Sequence, residues 1–109
     1  MTPKEAFELV RQGKALLVDV REEDELRAGG TAEGALWMPL SGLVEDTDQW
    51  RAFKAALPRD KTVILFCKIG GRAGRMGEFL AADGFRTENL GGFADWKGAG
   101  LPVAPFKKP

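Results

Sequence analysis

Apolar runs at three places along the chain predict strands. The runs over 15–20 and 62–66 are almost uninterrupted, which is typical of strands that are buried on both faces of a sheet. A shorter apolar run over 34–38, ended by Pro39, is a further strand candidate, and the segment over 87–90 is predicted as a last short strand. The sequence therefore predicts a sheet with most of its strands in the interior of the domain.

Helical patterns separate these runs. Thr2-Pro3-Lys4-Glu5 reads as a capping box that begins a first helix, which Gly13 ends. The other predicted helices are a charged segment over 22–28, two amphipathic segments over 48–57 and 72–82, and a short one over 93–97. Strands that alternate with helices across short loops predict an α/β layer fold with a mainly parallel sheet.

The helical spacing also predicts which side chains face the core. In the helix over 48–57 these are Trp50, Phe53, Ala56 and Leu57, and in the helix over 72–82 they are Ala73, Met76, Phe79 and Leu80. Trp96 is expected to anchor the core near the end of the chain. At 109 residues, without a repeat or linker, the sequence predicts one domain over 1–109, with 105–109 as a frayed tail.

Composition narrows the functional classes. The 16 basic and 16 acidic residues give a formal net charge of zero, so electrostatics favours neither nucleic acid nor an anionic membrane. No apolar run reaches the length of a membrane-spanning helix, the N-terminus lacks a signal-peptide pattern, and one cysteine excludes an internal disulfide. We therefore expect a cytoplasmic protein with no nucleic-acid or membrane partner, and a monomer.

The residues that are absent restrict the chemistry further. The chain has no histidine, no tyrosine and a single cysteine, Cys67. A Ser-His-Asp triad, a Cys-His dyad and a histidine metal site are therefore excluded, and we expect no metal. Cys67 follows the apolar run over 62–66 directly, and the glycine-containing loop Lys68-Ile69-Gly70-Gly71-Arg72 leads from it into a helix. Loop N–H groups and a helix N-terminus at such a place stabilise an anion, including a thiolate.

The chain contains three motifs: Asp19-Val-Arg21-Glu, Cys67-x-x-Gly-x-Arg72, and a stretch from Asn89 to Pro102. They resemble motifs of the single-domain rhodanese, or thiosulfate sulfurtransferase-like, proteins. Asp19-Val-Arg21-Glu is similar to the family's first-strand signature, and Cys67-x-x-Gly-x-Arg72 is similar to its active-site loop. The stretch from Asn89-Leu-Gly-Gly to Gly100-Leu-Pro102, with Trp96 between, resembles its C-terminal signature. The resemblance covers nearly the whole chain and implies a three-layer fold with a central, mainly parallel sheet of about five strands flanked by helices.

The resemblance implies sulfur transfer without a cofactor. Cys67 would be the catalytic nucleophile, taking a sulfane sulfur from an anion such as thiosulfate and passing it, as a persulfide, to cyanide, a thiol or a protein acceptor. The loop residues Lys68, Ile69, Gly70, Gly71 and Arg72 would bind the substrate, with Lys68 meeting an anionic donor. We expect Arg72 to brace the loop and favour the thiolate, and Asp19 and Arg21 to support the site structurally.

Two alternatives remain open at this stage. A partner-docking persulfide carrier or regulatory module would use the same cysteine, whereas a related Cys-dependent phosphatase is disfavoured because those enzymes have Cys-x5-Arg and this chain has Cys-x4-Arg. For Lys68 and Arg72 the structural alternative is a solvated surface cation. Thr31 and Trp37 stand where relatives often have His and Asn, which leaves the specificity for the acceptor open.

Overall fold

Four parallel strands form the central sheet in the computed structural model, which describes residues 1–108. In chain order, the strands are β1 (Ala15–Asp19), β2 (Thr31–Ala32), β3 (Leu36–Trp37), β4 (Thr62–Cys67), β5 (Thr87–Gly92) and β6 (Val103–Ala104). The central sheet has the order β3-β1-β4-β5 with every neighbouring pair parallel, whereas β2 and β6 form a separate antiparallel ladder. The predicted α/β class is confirmed, and the central sheet has four strands rather than about five.

Six helices within residues 1–108 pack around the sheet. They are α1 (Pro3–Arg11), α2 (Glu23–Gly29), α3 (Leu40–Val44), α4 (Asp48–Ala56), α5 (Gly71–Ala82) and α6 (Phe93–Gly98). The predicted capping box is present, because the Thr2 hydroxyl accepts from the Glu5 N–H at 3.1 Å and the Glu5 carboxylate accepts from the Thr2 N–H at 2.9 Å. Within residues 1–108, no helix is long and apolar enough to cross a membrane.

The strand β4 separates two hydrophobic clusters, one on each face of the sheet. Its alternate residues Val63, Leu65 and Cys67 face the cluster that includes α3, α4 and α5, while Ile64 and Phe66 face the one that includes α1 and α6. The helices contribute Trp50, Met76 and Leu80 to the first cluster and Phe93 and Trp96 to the second. The period of two along β4 therefore directs the cysteine side chain toward α5.

Two inward-facing predictions are wrong. Phe79 is 51% exposed and lies against the edge of Trp50, with ring centroids 6.2 Å apart. The buried stripe of α5 consists instead of Ala73, Met76, Gly77 and Leu80, and it excludes position 79 because 79 lies about 200° around the helix from Gly77. Ala56 is exposed as well, because α4 ends there and the chain turns Leu57 into the core in its place.

The predicted frayed tail makes contacts over its described part. The ring of Phe106 packs edge-on against Trp37, with centroids 5.1 Å apart, and the Lys108 ammonium lies 3.1 Å from Glu23. Pro109, the last residue of that prediction, lies outside the described residues. The segment from β6 onward thus covers part of the β3 edge through an aromatic contact that residue composition does not indicate.

Candidate active site

Cys67 is the last residue of β4 and its side chain is buried. It lies opposite Gly92 across the parallel β4–β5 pair. One β5 residue, Leu90, has no partner on β4, because Leu65 pairs with Asn89 and Phe66 with Gly91. This irregularity brings the two glycines at the end of β5 beside the cysteine.

The loop after Cys67 folds back over the sulfur. The Gly70 N–H donates to Cys67 Sγ at 3.0 Å, and the Gly70 carbonyl accepts from the Gly74 N–H at 2.9 Å, inside the first turn of α5. Gly70 has φ +103°, a conformation that glycine adopts without steric cost. The sulfur is therefore held by a backbone donor at the N-terminal end of a 12-residue helix, where negative charge is stabilised.

The end of β5 fixes the position of this loop. The Asn89 side-chain amide donates to the Gly70 carbonyl at 2.9 Å and its oxygen accepts from the Gly91 N–H at 2.9 Å. A Cβ atom on Gly92 would lie 2.4 Å from the Lys68 carbonyl oxygen, closer than any side chain tolerates. Gly92 is therefore required for the close approach of β5 to the loop, and Asn89 links the two segments by hydrogen bonds.

Arg72 pairs with Glu25, a residue that sequence reasoning missed. Its guanidinium donates to both carboxylate oxygens of Glu25 on α2, with Nη2 2.9 Å from Oε2 and Nη1 bonded to Oε1. The Arg72 hydrogen bonds lower the pKa of Glu25 to about 2, and the carboxylate in turn raises the pKa of Arg72. Arg72 thus ties the start of α5 to α2 across 47 residues of sequence, a separation that no local pattern reveals.

A second carboxylate extends this connection to α3. Glu22 accepts from the Ser41 hydroxyl at 2.6 Å and from the Ser41 N–H at 3.3 Å, and its own N–H donates to Glu25 at 3.2 Å. Leu40, the residue before Ser41, is one of the residues that line a surface depression above Cys67. The helices α2 and α3 therefore support one side of the candidate site.

The mouth of the site is a shallow depression with cationic and apolar walls. Its lining residues are Leu40, Cys67, Lys68, Ile69, Gly71, Arg72 and Arg75. Ile69 projects from the loop tip and is 87% exposed, and Lys68 and Arg75 are exposed as well. Arg75 was not predicted, although it lies three residues after Arg72 and therefore on the same side of α5.

Asp19 and Arg21 form a buried ion pair that does not reach the loop. Asp19 accepts from Arg21 Nε at 3.0 Å, from Arg21 Nη2 at 2.8 Å and from the Thr31 hydroxyl at 2.7 Å. The guanidinium also donates to the Gly30 carbonyl and covers the face of Phe93 at 4.4 Å. None of the hydrogen bonds of this pair goes to residues 67–72, so its geometry is that of a structural connection between β1 and the segment after α2.

The two positions that depart from the family pattern contact this pair rather than the mouth. Thr31 supplies a hydroxyl to Asp19, and the indole N–H of Trp37 donates to the Arg21 carbonyl at 2.8 Å. Neither residue lines the depression above Cys67. Across residues 1–108, the structure contains no group of three Cys, Asp or Glu side chains that could hold a metal ion.

Comparison with known proteins gives a consistent result. Residues 2–99 match the family described as rhodanese-like domain. The chain is 29% identical over 105 residues to the thiosulfate sulfurtransferase GlpE of Actinobacillus succinogenes, covering 94% of this chain and 87% of that protein. It is 31% identical over 90 residues to a sulfurtransferase of Allochromatium vinosum, covering 81% and 77%. The crystal structure of a rhodanese-related protein from Thermoplasma volcanium superposes with a TM-score of 0.78 at 27% identity, covering 97% of both chains.

Proposed function

The chain belongs to the rhodanese-like domain family, and from that premise we propose that it moves a sulfane sulfur from a donor such as thiosulfate to cyanide or a thiol through a persulfide on Cys67. The family match and the relatives named as sulfurtransferases support an enzyme of the general sulfurtransferase kind. What we propose beyond this is the identity of the donor and the acceptor and the persulfide intermediate.

One observation carries the proposal. The Cys67 sulfur accepts a hydrogen bond from the Gly70 N–H at 3.0 Å, in the loop that connects β4 to α5. A backbone donor at this position stabilises negative charge on the sulfur itself. Because the chain has no histidine, the groups beside the sulfur that can stabilise negative charge are this backbone donor and the N-terminus of α5.

The proposed cycle has two displacement steps. The Cys67 thiolate, after loss of its proton to solvent, attacks the outer sulfur of thiosulfate, a sulfur–sulfur bond forms, and sulfite leaves with the electron pair of the broken bond. The persulfide then carries its negative charge on the outer sulfur, to which loop N–H groups can donate hydrogen bonds. Cyanide or a thiolate attacks that outer sulfur, and the Cys67 thiolate departs unchanged.

Initial-rate kinetics test this cycle. Thiocyanate formation is measured while thiosulfate and cyanide are varied against each other. We expect the parallel double-reciprocal lines of a ping-pong mechanism, and no formation by Cys67→Ser. Intersecting lines, or full activity in Cys67→Ser, would contradict a persulfide on this residue. Hydrolysis of a phosphomonoester without thiocyanate formation would favour the phosphatase alternative instead.

A further inference from the structure

We infer that Arg75 determines a preference of the site for anionic reagents, and for an anionic sulfane donor in particular. The inference rests on the proposed function for the identity of the reaction, but its electrostatic part can be tested on the Cys67 thiol alone. Three cationic side chains line the depression above Cys67, namely Lys68, Arg72 and Arg75. They differ in whether their charge is already engaged by the protein.

The charge of Arg72 is engaged. Its guanidinium donates to both oxygens of Glu25, so the pair contributes little net charge to the mouth. Lys68 and Arg75, by contrast, have no acidic side chain within ion-pair distance in the described part of the chain, and both are exposed. The uncompensated positive charge at the mouth therefore belongs to these two residues.

Arg75 stands apart from every other arginine. The chain has eight arginines, all within residues 1–108, and seven of them have hydrogen-bond partners: Arg11, Arg21, Arg27, Arg51, Arg59, Arg72 and Arg86. Arg75 alone has neither an ion pair nor a hydrogen bond among the described residues, and it is the arginine that, with Arg72, lines the cysteine depression. Its five N–H donors are therefore available to a bound molecule.

The chemistry of a guanidinium indicates the class of reagent. Its planar donors match the paired oxygens of a sulfonate, sulfite or carboxylate group. In a donor such as thiosulfate, the oxygens could meet Arg75 while the outer sulfur meets Cys67, because both residues line the same depression. An uncharged reagent of similar size gains nothing from Arg75. Removal of this arginine should therefore weaken the reaction with anions selectively.

Two alkylating reagents separate charge from reactivity. Iodoacetate is an anion and iodoacetamide is neutral, and both modify the same thiol. We expect Arg75→Gln to lower the ratio of the iodoacetate to the iodoacetamide rate constant by about threefold at low salt, an effect that salt screens. The iodoacetamide rate should stay within about twofold of the wild type. Arg51→Gln, which removes the same charge from exposed pairs outside the depression, should leave the ratio unchanged.

The second measurement uses the proposed reaction. We expect Arg75→Gln to raise the KM for thiosulfate about tenfold with kcat within about twofold, because the lost contact serves binding of an anion. An unchanged alkylation ratio, or an equal change in Arg51→Gln, would overturn the inference even if sulfur transfer is found. A lowered ratio without sulfur transfer from thiosulfate or any other sulfane donor would support the anion preference and contradict the proposed function, so the two failures are distinguishable.

Discussion

Replacing Asp19 with alanine separates a structural role from a catalytic one. The side chain is fully buried and accepts four hydrogen bonds, three from Arg21 and one from Thr31, at 2.7–3.1 Å at the closest oxygen. The Arg21 side chain is only 7% exposed in the intact pair. After substitution by alanine, its guanidinium would keep the Gly30 carbonyl as its one remaining acceptor in the described part of the chain and the Phe93 ring above it. The perturbation therefore creates an uncompensated charge in the interior.

The expected loss of stability is large. Removal of one partner from a buried ion pair costs about 3–5 kcal/mol, because the remaining charge keeps its desolvation penalty. A domain of this size has an unfolding free energy of about 5–15 kcal/mol, so the loss is about a fifth of it or more. A double variant, Asp19→Leu with Arg21→Met, leaves no unpaired charge in the interior. Its loss of unfolding free energy should be smaller than the sum of the losses in Asp19→Leu alone and Arg21→Met alone.

Urea denaturation followed by tryptophan fluorescence measures this loss, and sulfur transfer per folded molecule is measured in parallel. We expect Asp19→Ala to be destabilised by about 3–5 kcal/mol, with turnover per folded molecule within about twofold of the wild type. A loss of stability below about 1 kcal/mol would show that the pair is not the structural connection inferred here. Loss of turnover in a stably folded variant would instead assign Asp19 to catalysis.

Two further predictions concern the supports of the loop. Because the pKa of Glu25 falls from 4.5 to about 2 in the folded state, the carboxylate stabilises the fold above about pH 4.5 and loses that effect as the pH falls toward 2. A fully insulated pair would contribute about 3 kcal/mol, which solvent screening of side chains 27% and 31% exposed reduces to about 1 kcal/mol. Glu25→Gln should thus be less stable than the wild type at pH 7, and denaturation curves should show most of that difference lost at pH 2.5. Gly92→Ala, whose Cβ would lie 2.4 Å from the Lys68 carbonyl, should lose about 1–3 kcal/mol and slow sulfur transfer. The matched control, Gly29→Ala, meets no atom within 4 Å and should do neither; equal effects in both glycine variants would refute the requirement for close approach.

The main elements of the fold were predictable because each depends on a local pattern. The run over 62–66 is apolar at every position after Thr62, and β4 does occupy the middle of the sheet between β1 and β5. The ladder of Thr31–Ala32 with Val103–Ala104 was not predictable, because two-residue strands have no periodicity and their pairing is set by the folded chain. The five-residue helix α3 is too short for a helical period as well.

In the candidate site, too, the features that depend on local sequence were predictable and those that depend on packing were not. The cysteine, its loop and the following helix adjoin one another in sequence, so their spacing predicts their proximity. The partner of Arg72 lies 47 residues away on another helix, and only the packed structure brings Glu25 to it. The position of Arg75, three residues after Arg72, could have suggested that it lies near the site. Its lack of an acidic or hydrogen-bonding partner within residues 1–108, by contrast, is visible only in the folded structure.

The central claim, a persulfide on Cys67, is tested most directly by the intact mass of the reduced protein. The mass is recorded before thiosulfate is added, after it, and again after cyanide. We expect a gain of one sulfur atom that cyanide removes, and no gain in Cys67→Ser. If the folded, reduced protein gains no sulfur from thiosulfate or from any other sulfane donor, Cys67 is not a sulfur carrier and the proposed function is wrong.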